Sequence, residues 1–290
     1  MKKRANVLKY SKHHVGGTKM SIEYKCPVCE DVLEMQGKSL VCTKRHTFDM
    51  AKEGYVNFAL GKNDSGDSAE MCACRRRFLS KGYYSGFSKL ICDSVEKYTD
   101  PTSLLDAGCG EGYYLRKLRE RFPQAELFGV DLAKEAVRLA AKSEKQMSGI
   151  KNLYSVCGIF SLPFFDNSFD AVISIFAPVG DAENARVLKS GGYMFVAGPG
   201  KTHLSGLKSA VYEKTYENEE KTREYDGFCF VGKESCKYSV TVEGEDILDL
   251  FTMTPYYWKT SKSDFEKLTK LTKLETELSF EISVYKALKQ

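Results

Sequence analysis

The stretch that most restricts the fold is LLDAGCGEG at residues 104–112. An apolar run that closes on an acid and breaks at once into glycines marks a buried strand handing over to a helix at a nucleotide-type site. Gly108, Gly110 and Gly112 permit backbone angles closed to other residues and let a ligand lie against the main chain. A phosphate loop of the GxxxxGK[ST] kind needs a lysine, and none follows before Lys117. Asp106 ahead of the glycines and Glu111 among them put negative charge where a pyrophosphate would sit. That disfavours dinucleotides and favours a cationic nucleoside such as S-adenosylmethionine.

With 290 residues, the chain can hold one large domain and a small one. The longest apolar candidate for a membrane span, residues 171–179, is much too short, and the basic N-terminus is not followed by an apolar signal segment, so a cytoplasmic protein is expected. Residues 1–20 hold six Lys or Arg and no acid; the formal charge of +4 less these six leaves −2 on the rest. Nucleic acid would therefore meet local basic patches, not a global positive field. Residues 1–20 read as a basic, disordered tail, with Met20 as an alternative start.

One group of cysteines has ligand spacing. Cys26 and Cys29 are followed after twelve residues by Cys42 and after three more by His46, C-x2-C-x12-C-x3-H. Two short knuckles bring three thiolates and an imidazole into a tetrahedral zinc site with no open position, so the metal is expected to be structural. Lys38, Lys44 and Arg45 lie on or near the knuckles, where a phosphate backbone or plain solvent would suit them equally.

Several segments outside the glycine loop are distinctive: HTFDMAKEGYVN at 46–57, GDSAEM at 66–71, RRxF at 75–78, CGEGYY at 109–114 and MTP at 253–255. Together with DxGxGxG, the first motif of class I methyltransferases, they resemble the bacterial 23S rRNA (guanine-N1)-methyltransferases, an RlmA-like family with an N-terminal zinc ribbon. The resemblance runs from about residue 24 to the C-terminus. It implies an α/β fold, a Rossmann-like class I methyltransferase domain preceded by a small zinc-ribbon domain. It also implies two bound groups, S-adenosyl-L-methionine and one structural Zn2+ per chain. The implied reaction is methyl transfer to N1 of a guanine in a 23S rRNA hairpin, with the zinc module helping to bind RNA. The expected division is a tail at 1–20, a zinc module at 21–60, a linker with a leading helix at 61–100, and the methyltransferase domain at 101–290. Gly61 begins a short polar loop, 61–65, that composition marks as mobile. A homodimer would help to form a cleft for a folded hairpin.

Residues 72–98 read as a helix interrupted near Gly82 and Gly86, and its Arg75, Arg76 and Arg77 would meet RNA phosphates or solvent. Helices are expected at 113–122 and 133–145, and strands at 127–130, 153–156, 169–175 and 193–197. Asp131, at a strand end about twenty residues past the glycines, suits two ribose hydroxyls. Tyr113 and Leu132 beside these motifs complete the expected cofactor contacts. After Gly158, where many class I enzymes place an acid for the adenine amine, this chain has Ile159, so apolar stacking by Ile159 or Phe160 is expected instead. Phe176, Ala177 and Pro178 follow the central strand, the edge where ligands of open α/β sheets collect and where the resemblance places the target base.

Residues 200–204 are expected to open a helix and 247–253 to form one ended by Pro255. Tyr256, Tyr257 and Trp258 would stack on RNA or fill core, and 278–285 reads as a closing strand. Guanine N1 is protonated at neutral pH, so a proton acceptor is required. Asp67, Glu70 and His203 are the candidates, each with a structural alternative as a cap or surface residue. The competing functions are a small-molecule methyltransferase and a noncatalytic rRNA-binding or assembly factor.

Overall fold

The structure, a computed structural model, describes residues 14–15, 18–19, 22–61, 67–147, 149–215, 217–219 and 222–289. Most of the basic tail, and the 61–65 loop apart from Gly61, lie outside them. Within the tail, His14–Val15 (β1) pairs antiparallel with Thr18–Lys19 (β2).

Glu34–Gln36 (β3), Ser39–Val41 (β4) and Thr47–Asp49 (β5) make a three-stranded antiparallel ribbon. The chain then enters the main sheet at once, through Val56–Asn57 (β6). Ala69–Ser80 (α1) and Ser85–Tyr98 (α2) follow. Ser68 caps α1 by accepting the Met71 N–H at 3.2 Å. The expected helix thus breaks only once, at the Gly82 turn, where φ is +83°. Gly86 lies inside α2, and glycine is needed there because a Cβ would come within 2.7 Å of the Tyr238 ring.

Ser103–Ala107 (β7), Tyr113–Arg121 (α3), Glu126–Asp131 (β8), Lys134–Glu144 (α4) and Leu153–Val156 (β9) form the first half of the sheet. Phe169–Ile175 (β10), Asp181–Val187 (α5), Leu188–Pro199 (β11) and Ser205–Val211 (α6) continue it. Phe228–Glu243 (β12), Asp246–Thr252 (α7), a 3-10 turn at Pro255–Trp258, Lys262–Thr269 (α8) and Lys273–Ala287 (β13) close the chain. Two expectations shift slightly. Residues 200–204 form the turn before α6, and Pro255 opens the 3-10 turn after α7 has already ended.

The eight strands run β12-β13-β11-β10-β7-β8-β9-β6, parallel from β11 to β6 and antiparallel at β13 and β12. Sequence order reverses between β7 and β10, so the crevice beyond their C-terminal ends is where this kind of sheet takes its ligand. Alternation along β7 sends Leu104 into one core layer with Phe78, Phe87 and Phe280, and Leu105 into the other with Tyr24, Phe128, Phe164 and Phe169. Each such buried side chain stabilises by roughly 1.5–3 kcal/mol.

The second layer also anchors the ribbon. Tyr24 stacks on Phe164 at 5.3 Å, its hydroxyl accepts from Ser155 Oγ at 3.0 Å, and Lys25 N–H donates to the Pro163 carbonyl at 2.8 Å. The ribbon is thus built onto the sheet edge and shares its core.

Candidate active site and zinc centre

The glycine loop leaves β7 with its acid enclosed. Asp106 is 1% exposed, and neither carboxylate oxygen has a hydrogen-bond partner among the described residues. Burial, then the negative charge of Asp131, push its pKa well above the usual carboxylate range. Glu111 is also buried; one oxygen takes an Arg116 N–H at 2.9 Å and the other has no partner among the described residues. Asp131 accepts from Gly110 N–H and from Ala133 N–H, each at 2.8 Å. Burial raises its pKa, and those two bonds oppose the rise. Asp131 therefore ties the glycine loop to the β8–α4 turn, while Ala133 holds the N-cap position of α4.

Glycine is required at both ends of the loop. Gly108 has φ +97°, and a Cβ there would lie 2.5 Å from the Ala177 Cβ. Gly112 has φ +78°, and a Cβ would strike the Tyr154 hydroxyl at 2.5 Å. The loop thereby abuts the end of β10, where Phe176, Ala177 and Pro178 lie. Unpaired buried carboxylates are costly. The cationic methionine end of S-adenosylmethionine supplies what Asp106 and the free oxygen of Glu111 lack, and the Asp131 carboxylate suits ribose hydroxyls. The residues fit the cofactor. Tyr113, buried, opens α3, and Leu132 is partly buried beside Asp131. Ile159 is partly buried with its carbonyl against Gly180, while Phe160 is 69% exposed.

Phe176 carries φ +54°, a left-handed angle rare for a bulky residue, and is 47% exposed. Its ring lies 5.7 Å from Phe87 and 6.0 Å from His203. His203 is buried: Nδ1 accepts the Ser279 N–H at 3.3 Å, and Nε2 lies 3.4 Å from the Tyr84 hydroxyl. Burial, with the Lys208 charge adding to it, pulls its pKa down to about 3. It is a neutral imidazole at physiological pH. Tyr114 of the CGEGYY run completes this wall with Tyr84 and Phe280, which were not singled out from sequence. The YY pair just past RRRF was the available signal.

The three arginines of α1 diverge. Arg75 Nη1 donates to Asp67 at 2.5 Å and Nη2 to the Met253 carbonyl at 3.3 Å. Arg76 reaches the Leu139 carbonyl, and Arg77 makes a two-pronged pair with Asp249. The neighbouring GDSAEM and RRxF segments thus meet the distant MTP segment beside the glycine loop. Glu70 is exposed and accepts from the Tyr257 hydroxyl at 3.4 Å. Tyr256 and Tyr257 pack against the core, whereas Trp258 is 61% exposed. Tyr256 and Tyr257 therefore help fill core, and Trp258 is left facing solvent.

In the ribbon, the ligand atoms of Cys26, Cys29, Cys42 and His46 all lie within 4.8 Å of one another. His46 Nδ1 is 3.6, 3.3 and 3.4 Å from the sulfurs of Cys26, Cys29 and Cys42. Ligands about 2.0–2.3 Å from a tetrahedral zinc have edges of this length. The knuckles are preformed: Glu30 and Arg45 take φ +62° and +66°, and the His46 N–H donates to the Cys42 sulfur at 3.3 Å. One structural zinc fits, with Nδ1 as the imidazole donor. Lys38, Lys44 and Arg45 are all exposed.

A glycine loop over an acid-lined crevice, on a sheet of this order with a Cys3His ribbon at its edge, defines a class I S-adenosylmethionine-dependent methyltransferase with a zinc module. Residues 24–59 match the family model described as RlmA, N-terminal, and residues 104–192 match a methyltransferase domain. YxjB of Bacillus subtilis (strain 168), assigned as a 23S rRNA (guanine-N(1)-)-methyltransferase, is 29% identical over 90% of this chain and 96% of its own. The 23S rRNA (guanine(748)-N(1))-methyltransferase of Streptomyces fradiae is 30% identical over 64% of this chain and 67% of its own. A Micromonospora griseorubida protein assigned as a 23S rRNA (guanine-N(1)-)-methyltransferase is 28% identical over 81% of this chain and 87% of its own. The chain belongs to this family of zinc-ribbon methyltransferases. No helix among the described residues is long and apolar enough to cross a membrane.

Proposed function

We propose that the protein transfers the methyl group of S-adenosylmethionine to N1 of a guanine in a hairpin of 23S rRNA. The supporting observation is the Cys3His ribbon joined through β6 to the sheet that carries the cofactor loop, an arrangement a small-molecule methyltransferase has no use for. The relatives sharing this chain nearly end to end are assigned to rRNA. When bound, the cofactor supplies an electrophilic methyl on a positively charged sulfur. Asp106 and Glu111 would hold the cationic end, Asp131 the ribose, and Ile159 and Phe160 the adenine. The residues thus act by alignment, with no metal at the reacting atoms.

N1 lies on the pairing edge, so the guanine must be unpaired or flipped out. Phe176, fixed at the crevice mouth, offers a face for the base, beside the Ala177 and Pro178 backbone. The Ala177 and Pro178 carbonyls each accept from Ser174 Oγ, at 3.4 and 3.2 Å, which sets their orientation. The N1 proton leaves to one of Asp67, Glu70 or His203, or to water beside them. Asp67 is tied to the glycine loop region through its bond to Arg75. His203 is neutral above pH 3, so its own titration adds no step to a rate profile near neutrality.

Trp258 and the ribbon lysines are the proposed RNA contacts. Stacking on an exposed ring contributes roughly 1–3 kcal/mol. Trp258→Ala is therefore expected to weaken binding of a 23S rRNA hairpin by about 5- to 100-fold while leaving S-adenosylhomocysteine binding unchanged. Filter binding and calorimetry check this, alongside transfer of labelled methyl to the same RNA by the intact protein. Methylation of a quinone or amine, with none of RNA, would overturn the assignment, as would failure to bind the cofactor.

A further inference from the structure

Arg75 lies in the wrong place for a phosphate contact on the RNA. Its guanidinium rests over the glycine loop, where a Cβ on Gly110 would come 3.9 Å from Nη1. The side chain is 27% exposed, and the charges it feels from Asp67 and Asp131 belong to the cofactor crevice. Around the loop four acids gather, Asp67, Asp106, Glu111 and Asp131. Arg116, the neighbouring cation, is already bound to the Glu111 carbonyl and carboxylate.

S-adenosylmethionine carries one anionic group, the α-carboxylate of its methionine end, and an acid-lined crevice repels it. A guanidinium presents five N–H donors in a planar fork matched to a carboxylate. The bonds to Asp67 Oδ2 and the Met253 carbonyl fix that fork from two sides and leave donors over. We propose that Arg75, positioned by Asp67 and the Met253 carbonyl, binds the α-carboxylate of the cofactor and not an RNA phosphate. Asp67 is then a positioning residue, which leaves Glu70, His203 or water to take the N1 proton. The GDSAEM, RRxF and MTP segments meet because together they hold this cation over the loop. The proposal rests on the reading of the loop as a S-adenosylmethionine site.

The test is calorimetry on the full zinc-loaded chain with two nucleosides. S-adenosylhomocysteine keeps the amino-acid end, and 5′-deoxy-5′-methylthioadenosine lacks it. Arg75→Met is expected to weaken the first by about 10- to 100-fold, the loss of a charge-assisted hydrogen-bonded pair, and the second by less than about twofold. Arg75→Lys falls between. Equal loss for both ligands, or no loss for S-adenosylhomocysteine, overturns the proposal.

Should Arg75→Met fail to fold, judged by near-UV dichroism and zinc content, the wild-type protein decides. It should bind S-adenosyl-3-thiopropylamine, which lacks only the carboxylate, more weakly than S-adenosylhomocysteine by the same factor, and equal affinity overturns the proposal. With folded Arg75→Met, the salt dependence of RNA binding should match wild type; a slope smaller by about one would place Arg75 on a phosphate and overturn it. If wild type binds neither nucleoside, the cofactor reading and the proposal fail together. If wild type binds both and Arg75→Met binds alike, only the assignment of Arg75 fails.

Discussion

Replacing Asp106 by Asn is expected to lower affinity for S-adenosylmethionine by on the order of 100-fold and, in the cofactor-free protein, to raise the melting midpoint by about 2–4 °C. Both effects follow from one group. Its carboxylate is 1% exposed, has no hydrogen-bond partner among the described residues and lies in the field of Asp131, so its pKa in the folded protein is well above 3.8. A carboxyl raised on folding contributes stability that is fully present below its unfolded pKa and is lost as pH rises through the folded value. Asn has no charge to lose, so the stability gained by the variant should grow with pH above 3.8 and level off past the folded pKa. The cationic cofactor selects the ionised form, so at pH below the folded pKa binding should release a proton, visible as a buffer-dependent enthalpy. Calorimetry in two buffers and thermal melts across pH check both. A variant that binds normally, or melts lower at neutral pH, contradicts this role for Asp106.

Removing the zinc should have the second large effect. Binding at structural sites of this kind supplies about 10–16 kcal/mol of folding free energy. Cys26→Ser, or a strong chelator, is therefore expected to release the metal and erase hydrogen-exchange protection through residues 22–59. The damage should extend past the ribbon, because Tyr24 lies in the core layer with Phe128 and Phe164, and β6 completes the sheet. The melting midpoint of the whole chain should fall, while cofactor binding at the loops after β7 and β8 persists and RNA binding weakens. Unchanged zinc content in Cys26→Ser would sink the assignment of that ligand.

Physical context decided what could be read from the chain alone. β9 and β10 are buried along nearly their whole length, so they read as mainly apolar runs, and their expected bounds, 153–156 and 169–175, match those observed. The zinc ligands were legible because four donors at knuckle spacing are a local pattern. β12 was not read. As an edge strand with one face in solvent it is rich in Lys, Glu and Ser, the composition by which sheet edges avoid further pairing. The arginines of α1 illustrate a second limit. A cation that bonds inward to Asp67 or Asp249 has the same sequence signature as one in water, and its partner lies up to 172 residues away. His203 likewise carries no local sign of its burial against Phe280. The β6 pairing with β9 was missed because two residues are too short for periodicity to register.

The central claim is that this chain methylates N1 of a guanine in 23S rRNA. Mass mapping of nuclease fragments of that RNA, from cells with and without the gene, tests it most directly. The expected result is one hairpin guanine that carries a methyl group on N1 when the gene is present and none when it is absent, restored by the wild-type protein and not by Asp106→Asn. Identical methylation of every 23S guanine in the two strains would contradict it.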